Sequence, residues 1–274
     1  MKLVPVKSPC QKPLRRRYTM KIAVLVKEVP DLEAHVEIAA GGKALNLEKK
    51  RVLNYFDEIA VEAALQVKQS IGSAEIYAVS AGNGTGMEAL RRALAMGADR
   101  VIHINDPALE GAGPLIVSQA LAGLIKREGF DLVFAGKKST DDEAGMVGPM
   151  VAALLGIACV QGVIALQIDG KNVTVKRETE RGTETVKASL PVMLTAEKGF
   201  YKPRVPQVMG LMKAMKAEVP KVSLAEVGVE AVASPQVRGY SRPKARLPVK
   251  MVEGDASQAA IELVRLLRDE VKVI

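Results

Sequence analysis

The chain has 274 residues, of which 48% are hydrophobic and 26% charged, an ordinary soluble composition and a length sufficient for one large α/β domain or one domain with an appendage. It has no apolar run near the ~18–20 residues of a membrane span, and its two cysteines and two distant histidines provide neither a disulfide framework nor a metal-ligand spacing. Of the net charge of +8, six units lie in residues 1–19, which leaves +2 for residues 20–274 and argues against nucleic-acid binding.

Residues 1–19 form a Pro- and Arg-rich basic leader ahead of the first predicted strand. The leader lacks the apolar core of a secretory signal. We interpret it as a short basic tail or an over-long translation start, with a weak organelle presequence as the third alternative. In each case we expect it to be disordered or a non-native start.

Strands and helices alternate in the first part of the chain. The predicted elements are strands over residues 20–26, 74–80, 100–104 and 130–134, and helices over 54–67, 87–97, 114–126 and 151–155. This alternation predicts a parallel sheet covered by helices on both faces. The Gly-rich segment 81–86, AGNGTG, is one residue short of the G-x-G-x-x-G spacing and is interpreted as a plain turn.

The pattern changes in the second part of the chain. Alternating residues over 162–178 and 184–190 predict hairpin strands with a turn at Asp169 and Gly170, and 191–196 predict a further apolar strand. Residues 197–216 are rich in Pro, Gly, Lys and Met with weak periodicity, and 217–254 show no strong element. An amphipathic helix is predicted over 257–271. After so long a linker, its apolar stripe must fold back or dock on another chain.

Residues 135–150, AGKKSTDDEAGMVGPM, form the strongest candidate binding segment. A Gly-rich loop between a parallel strand and a helix presents free N–H groups and the positive end of the helix dipole, which suit a phosphate. Ser139 and Thr140 can donate hydroxyls. The alternative is an ordinary helix cap, because residues 140–143 also fit the [ST]-x-x-E capping box.

Seven blocks of sequence occur in an order that indicates a family. They are VLVKEVPD, LNYFDEIAVEAALQVK, EIYAVSAG, LRRALAMGADRVIHI, DLVFAGKKSTDDEAGMVGPM, VKRETERGTETVKASLPVMLTAEKG and KPRVPQVMGLMKAMKAE. With the helical tail, they make the chain from Met20 onward resemble the β subunit of electron transfer flavoprotein. The resemblance implies an adenine-nucleotide α-hydrolase-like α/β domain over 20–216 with a β-hairpin addition, and an extended arm ending in a helix over 217–274 that docks on an α subunit.

The resemblance also implies a function in electron transfer. The family forms a heterodimer whose α subunit carries a redox-active FAD, while the β subunit binds AMP without a redox role. The dimer takes electrons from acyl-CoA dehydrogenases and related flavoenzymes of fatty acid β-oxidation and passes them to a membrane quinone oxidoreductase. The expected compartment is the prokaryotic cytoplasm, or the mitochondrial matrix in a eukaryote. Because the flavin performs the chemistry, no catalytic side chain is expected.

Two alternatives stay open on the sequence alone. In the electron-bifurcating branch of the family, a second FAD replaces AMP and NADH is the donor. Asp141 and the block ALAMGADR favour the non-bifurcating branch, whereas VPD and MVGP resemble bifurcating relatives. The other alternative is a stand-alone nucleotide-binding or nucleotide-hydrolysing domain, which predicts a stable monomer. The amphipathic tail argues against it, because that helix needs a partner surface.

Nucleotide contacts are carried over from the family onto two parts of the chain. They are Leu25, Asn54, Tyr55, Phe56, Asp57 and Ala81, and the loop residues Gly136, Lys137, Lys138, Ser139, Thr140, Asp141, Asp142, Glu143, Ala144, Gly145, Met146 and Val147. The Asn54 amide could read an adenine edge or cap the following helix. Ala81 leaves room for the nucleotide but offers no polar contact.

Two further residues and one segment are expected to face partners. Leu32 aligns with a residue near the α-subunit flavin, and Glu178 with one that pairs with an α-subunit arginine; a solvated strand face is the alternative for Glu178. The segment 197–216 aligns with the loop that recognises acyl-CoA dehydrogenases, and a loop packed on its own subunit is the alternative. Its apolar tip and basic flanks are Val208, Met209, Leu211, Met212, Lys202, Arg204, Lys213 and Lys216.

Overall fold

The computed structural model describes residues 19–230, 237–246 and 248–274, so the predicted leader lies outside them except for Thr19. The strands are β1 (Met20–Leu25), β2 (Glu28–Pro30), β3 (Val36–Ile38), β4 (Leu45–Leu47), β5 (Arg51–Leu53), β6 (Ala74–Gly82), β7 (Arg100–Asn105), β8 (Leu132–Gly136), β9 (Ala158–Asp169), β10 (Asn172–Thr179), β11 (Gly182–Ser189), β12 (Val192–Ala196) and β13 (Lys221–Val222). The helices are α1 (Tyr55–Ile71), α2 (Met87–Met96), α3 (Pro114–Glu128), α4 (Val147–Leu155), α5 (Val208–Lys216) and α6 (Ala256–Leu266).

One nine-stranded sheet forms the centre of the fold, in the order β11-β10-β9-β12-β8-β1-β6-β7-β13. Seven strands of this sheet run parallel to one another: β9, β12, β8, β1, β6, β7 and β13. Beyond β9, the strands β10 and β11 continue the sheet in antiparallel pairing. Both the predicted parallel sheet and the predicted hairpin are therefore confirmed, and they belong to one sheet. The chain runs from β1 to β6 on one side and returns to β8 on the other, so strand order reverses between β1 and β8.

Two aliphatic cores lie on opposite faces of this sheet. Alternate residues of β1 point to opposite faces: Ile22 belongs to the core formed with α1 and α2, and Ala23 to the core formed with α3 and α4. Ile59 of α1 and Ile116 of α3 are both almost fully buried in these cores. Strands buried on both faces explain the continuous apolar runs of the sequence.

Several predicted bounds are wrong by a few residues. The strand predicted at 130–134 begins at Leu132, because Phe130 instead packs edge-on against Tyr77 with ring centroids 5.2 Å apart. Helix α1 continues to Ile71 and ends where Gly72 adopts φ 70°. Helix α5 lies within the segment 197–216, for which the sequence predicts no helix.

The last helix and the arm before it lie mostly exposed. The helix predicted at 257–271 is α6 followed by a π-helical turn, Leu267–Val271, and Asp255 and Gln258 form a capping box at its start. The arm meets the β3–β4 hairpin where the Tyr240 N–H donates to the Gly42 carbonyl over 2.7 Å. No helix among the described residues combines the length and apolar character of a membrane span.

Candidate functional site

A cleft of about 210 Å³ opens at the carboxyl ends of β1, β6 and β8. This is the point at which strand order reverses, where parallel α/β sheets bind ligands, because loops diverge there to opposite faces. The loop from Gly136 to Gly148 forms one wall of the cleft, and the first turns of α3 form another.

Most of the nucleotide contacts expected from the family line this cleft. The lining set comprises Leu25, Asn54, Asp57, Ala81, Gly136, Lys137, Lys138, Ser139, Asp142, Ala144, Gly145, Met146 and Val147. Five expected residues lie outside the walls: Tyr55, Phe56, Thr140, Asp141 and Glu143. Tyr55 is exposed, and the Phe56 ring lies 6.0 Å from the Lys138 ammonium.

Sequence patterns do not single out six of the lining residues, Val26, Lys27, Ala112, Pro114, Val117 and Leu121. Val26 and Lys27 directly follow β1, and their position at the end of a central parallel strand is the signal that could have identified them. Pro114, Val117 and Leu121 share one face of α3 at helical spacing. They provide the apolar wall of the cleft.

Asn54 holds the loop of the cleft instead of capping α1. Its Nδ2 donates to the Lys138 carbonyl over 3.0 Å, and its Oδ1 accepts from the Thr140 N–H over 3.2 Å. The side chain is 1% exposed and makes no cap hydrogen bond to α1, although Asn54 occupies the N-cap position. The helix cap suggested for the Asn54 side chain is therefore wrong, because the amide fixes the loop instead, and the adenine contact stays a prediction.

Asp57 joins the two strand ends at the bottom of the cleft. One carboxylate oxygen accepts from the Lys27 N–H over 2.8 Å, and the other accepts from the Gly136 N–H over 2.9 Å. Burial raises the pKa of Asp57 to about 7, although hydrogen bonds from Lys27, Asn54 and Gly136 act in the opposite direction. Gly136 has no room for a side chain, because a Cβ would overlap Asp57 Oδ1 and lie 2.7 Å from the Phe56 Cβ.

Lys27 ties the end of β1 to the acidic part of the loop. Its ammonium donates to Asp141 over 2.8 Å, to Asp142 over 3.1 Å and to the Ser139 hydroxyl over 3.2 Å. Burial lowers the pKa of Lys27, but the hydrogen bonds and charges of Asp141 and Asp142 outweigh it and raise the pKa above its usual value. Lys137 and Lys138 are also paired, with Glu197 and Glu143.

The capping box suggested for residues 140–143 is wrong. These residues form a turn ahead of α4: the Glu143 N–H donates to the Ser139 carbonyl, and Glu143 has φ 52°, so the helix cannot begin there. Helix α4 starts at Val147 with no side-chain cap, and Val147 and Gly148 line the cleft beside Gly145. Backbone N–H groups at the start of a helix suit an anion.

The backbone at the end of the AGNGTG turn binds a carboxylate of the chain itself. Glu28 accepts hydrogen bonds from the N–H groups of Gly86 and Glu88, each over 3.0 Å, at the start of α2. A carboxylate therefore satisfies the α2 N-terminus, in agreement with the plain-turn interpretation of this segment.

Most of the positions expected to face partners are exposed, but Arg204 is only partly exposed and pairs with the buried Glu62 of the same chain. Leu32 is 71% exposed, and Glu178 lies near the tip of the β10–β11 hairpin. On α5, four apolar side chains that carry the expected docking surface project into solvent: Val208, Met209, Leu211 and Met212. No group of His, Cys, Asp and Glu side chains among the described residues is arranged to hold a metal ion.

Comparison with known proteins identifies the family of the chain. Residues 44–227 match the model of the electron transfer flavoprotein domain. The chain is similar to three proteins named electron transfer flavoprotein subunit beta. That of Bacillus subtilis (strain 168) is 34% identical over 259 residues, covering 93% of this chain and 100% of the relative. That of Mus musculus is 36% identical over 232 residues, covering 83% and 90%. That of Megasphaera elsdenii is 34% identical over 267 residues, covering 89% and 96%. The chain therefore belongs to the family of electron transfer flavoprotein β subunits.

Proposed function

We propose that this chain binds AMP in the cleft and pairs with an FAD-carrying α subunit to form an electron transfer flavoprotein. The observation that carries the proposal is the cleft at the reversal of strand order, with the Gly136–Gly148 loop on one side and the uncapped start of α4 at its edge. The dimer accepts electrons from acyl-CoA dehydrogenases or related flavoenzymes and passes them to a membrane quinone oxidoreductase.

The cleft fits a nucleoside monophosphate in three respects. The apolar face of α3 at Val117 and Leu121 suits the plane of a base, and the N–H groups at the start of α4 suit a phosphate. Lys27, Lys137 and Lys138 are each paired with a carboxylate, so these three lysines of the cleft do not offer the spare positive charge that a triphosphate needs.

The α subunit supplies the flavin, which takes up and releases the electrons. This chain contributes surfaces that contact the α subunit. The exposed apolar residues Ile261 and Val264 of α6 suit docking on the α subunit, and the name of the relatives, subunit beta, points to such a partner. Leu32 gives the α-subunit flavin an apolar neighbour, and Glu178 offers an exposed carboxylate to an α-subunit arginine.

Co-expression with the α subunit tests this function. The proposal predicts a one-to-one complex whose flavin absorbance bleaches when a catalytic amount of acyl-CoA dehydrogenase and its substrate are added anaerobically. A chain that purifies as a monomer in the presence of the α subunit, or a complex that only NADH reduces, contradicts it. The second result would favour the bifurcating branch.

A further inference from the structure

Glu62 is a buried carboxylate that takes no part in the cleft. It lies on α1, five residues after Asp57, and is 3% exposed. A buried carboxylate is costly unless charged or polar partners surround it. Its partners therefore indicate why the residue is acidic.

The main partner of Glu62 is Arg204, a residue 142 positions away in the chain. The guanidinium donates from Nε over 2.7 Å and from Nη2 over 2.8 Å, one bond to each carboxylate oxygen, and the Arg204 backbone N–H adds a third bond over 3.2 Å. Gln66 donates to the same carboxylate over 2.7 Å. Burial raises the pKa of Glu62, but the bonds from Arg204 and Gln66 outweigh it and hold the pKa below its usual value.

Arg204 lies four residues before the start of α5, in the sequence KPRVPQ. Pro203 and Pro206 flank it and restrict the backbone, and Pro206 is buried. Upstream, Phe200 is buried in the core beside α1. The chain is thus fixed at Arg204, and little rotational freedom remains before α5 begins.

The inner side of α5 makes a close contact with α2. A Cβ on Gly210 would lie 2.9 Å from the Ala95 carbonyl oxygen, so only glycine fits there. Ala214, one turn later, is 3% exposed, whereas Met209 on the outer side is 82% exposed. Small residues on the inner side and large apolar residues on the outer side give α5 one orientation. The two parallel hydrogen bonds from Arg204 to Glu62, a bidentate fork, set this orientation from the N-terminal end of α5.

We propose that Glu62 and Arg204 are positioning residues that fix the orientation of α5 for the partner flavoenzyme. This inference rests on the proposed function, in which α5, within the segment 197–216, is the surface that docks on the acyl-CoA dehydrogenase. The bidentate fork restrains both position and angle, which a single apolar contact at the same place would not do. Because α1 also carries Asp57 and directly follows Asn54, the same helix supports the cleft and the docking surface.

The test uses the full complex with Glu62→Gln and Arg204→Lys, which alter the fork and keep the side chains polar. Glu58→Gln is the matched control, because Glu58 is also on α1 but pairs with Arg92 of α2. Glu62→Gln is expected to speed amide hydrogen exchange in α5 about tenfold and to raise the KM for the dehydrogenase about tenfold. The maximal rate and the nucleotide content should stay within about twofold of wild type, and Arg204→Lys should give a smaller change of the same kind.

Unchanged exchange in α5 would overturn the inference, as would faster exchange with an unchanged KM. An equal loss of maximal rate and nucleotide would also overturn it, because it would indicate general structural damage. Val208→Asp separates this inference from the proposed function. An unchanged KM for the dehydrogenase in that variant contradicts docking through α5. The rate of amide hydrogen exchange in Glu62→Gln then still tests whether the Glu62–Arg204 pair fixes α5.

Discussion

The carboxylate of Asp57 accepts a hydrogen bond from the backbone N–H of Gly136 over 2.9 Å and so joins the first turn of α1 to the end of β8. Through its other oxygen it also holds the chain at Lys27, directly after β1. One buried side chain therefore sets the spacing of the two strand ends between which the cleft opens.

Gly136→Ala is expected to lose nucleotide and stability together. The added methyl would overlap Asp57 and press on Phe56, which should lower the free energy of unfolding by about 1–3 kcal/mol. Gly111→Ala is the control, because Gly111 has φ 59° and open space around it, so only backbone strain of about 1 kcal/mol applies. Denaturant unfolding and released-nucleotide counts measure both effects. Full nucleotide content in Gly136→Ala would show that the contact is dispensable.

Asp57 predicts a specific dependence of stability on pH. Its pKa is raised from 3.8 to about 7 in the folded protein, so the folded state holds the proton more tightly than the unfolded chain. Its contribution to the free energy of unfolding is therefore fully present below about pH 4 and is lost as the pH rises through about 7. Asp57→Asn should flatten this part of the curve in denaturant titrations. The same slope in both proteins would assign the pH dependence to other groups.

Asn54→Asp distinguishes the loop-fixing role from a helix cap. Aspartate caps helices as well as asparagine does, so a capping role predicts little change. A carboxylate at this position would instead place an oxygen against the Lys138 carbonyl, and we expect nucleotide affinity to fall about tenfold. Titration calorimetry of AMP on the nucleotide-depleted complex measures this. The exposed Asn46→Asp is the control, and equal affinities in the two variants would contradict the loop-fixing role of Asn54.

Val208→Asp is expected to abolish reduction by the dehydrogenase and to leave nucleotide content normal. Val208 is 73% exposed on α5, so a charge there costs the folded chain little but cannot enter an apolar contact. Leu154→Asp, at an exposed apolar position on α4, is the control. Stopped-flow flavin bleaching measures the effect. Reduction at the wild-type rate would move the docking site away from α5.

The parallel sheet and the cleft loop were predictable from local patterns, because buried strands and a glycine-rich strand-to-helix loop each leave a signal within a few residues. The role of Lys27 in the cleft was not predictable in this way, because its partners Asp141 and Asp142 lie more than a hundred residues further along the chain. Helix α5 was missed because it has only nine residues and Gly210 in its interior lowers its intrinsic helix propensity, although that glycine permits the close contact with α2. The capping-box motif misled because the left-handed Glu143 redirects the chain before α4.

The most direct test of the central claim is a count of the nucleotides released from the denatured complex with the α subunit. Chromatography separates AMP from FAD and gives the amount of each per heterodimer. We predict one AMP and one FAD, with the AMP lost selectively in Gly136→Ala. Two FAD and no AMP would contradict the account and make this cleft a second flavin site.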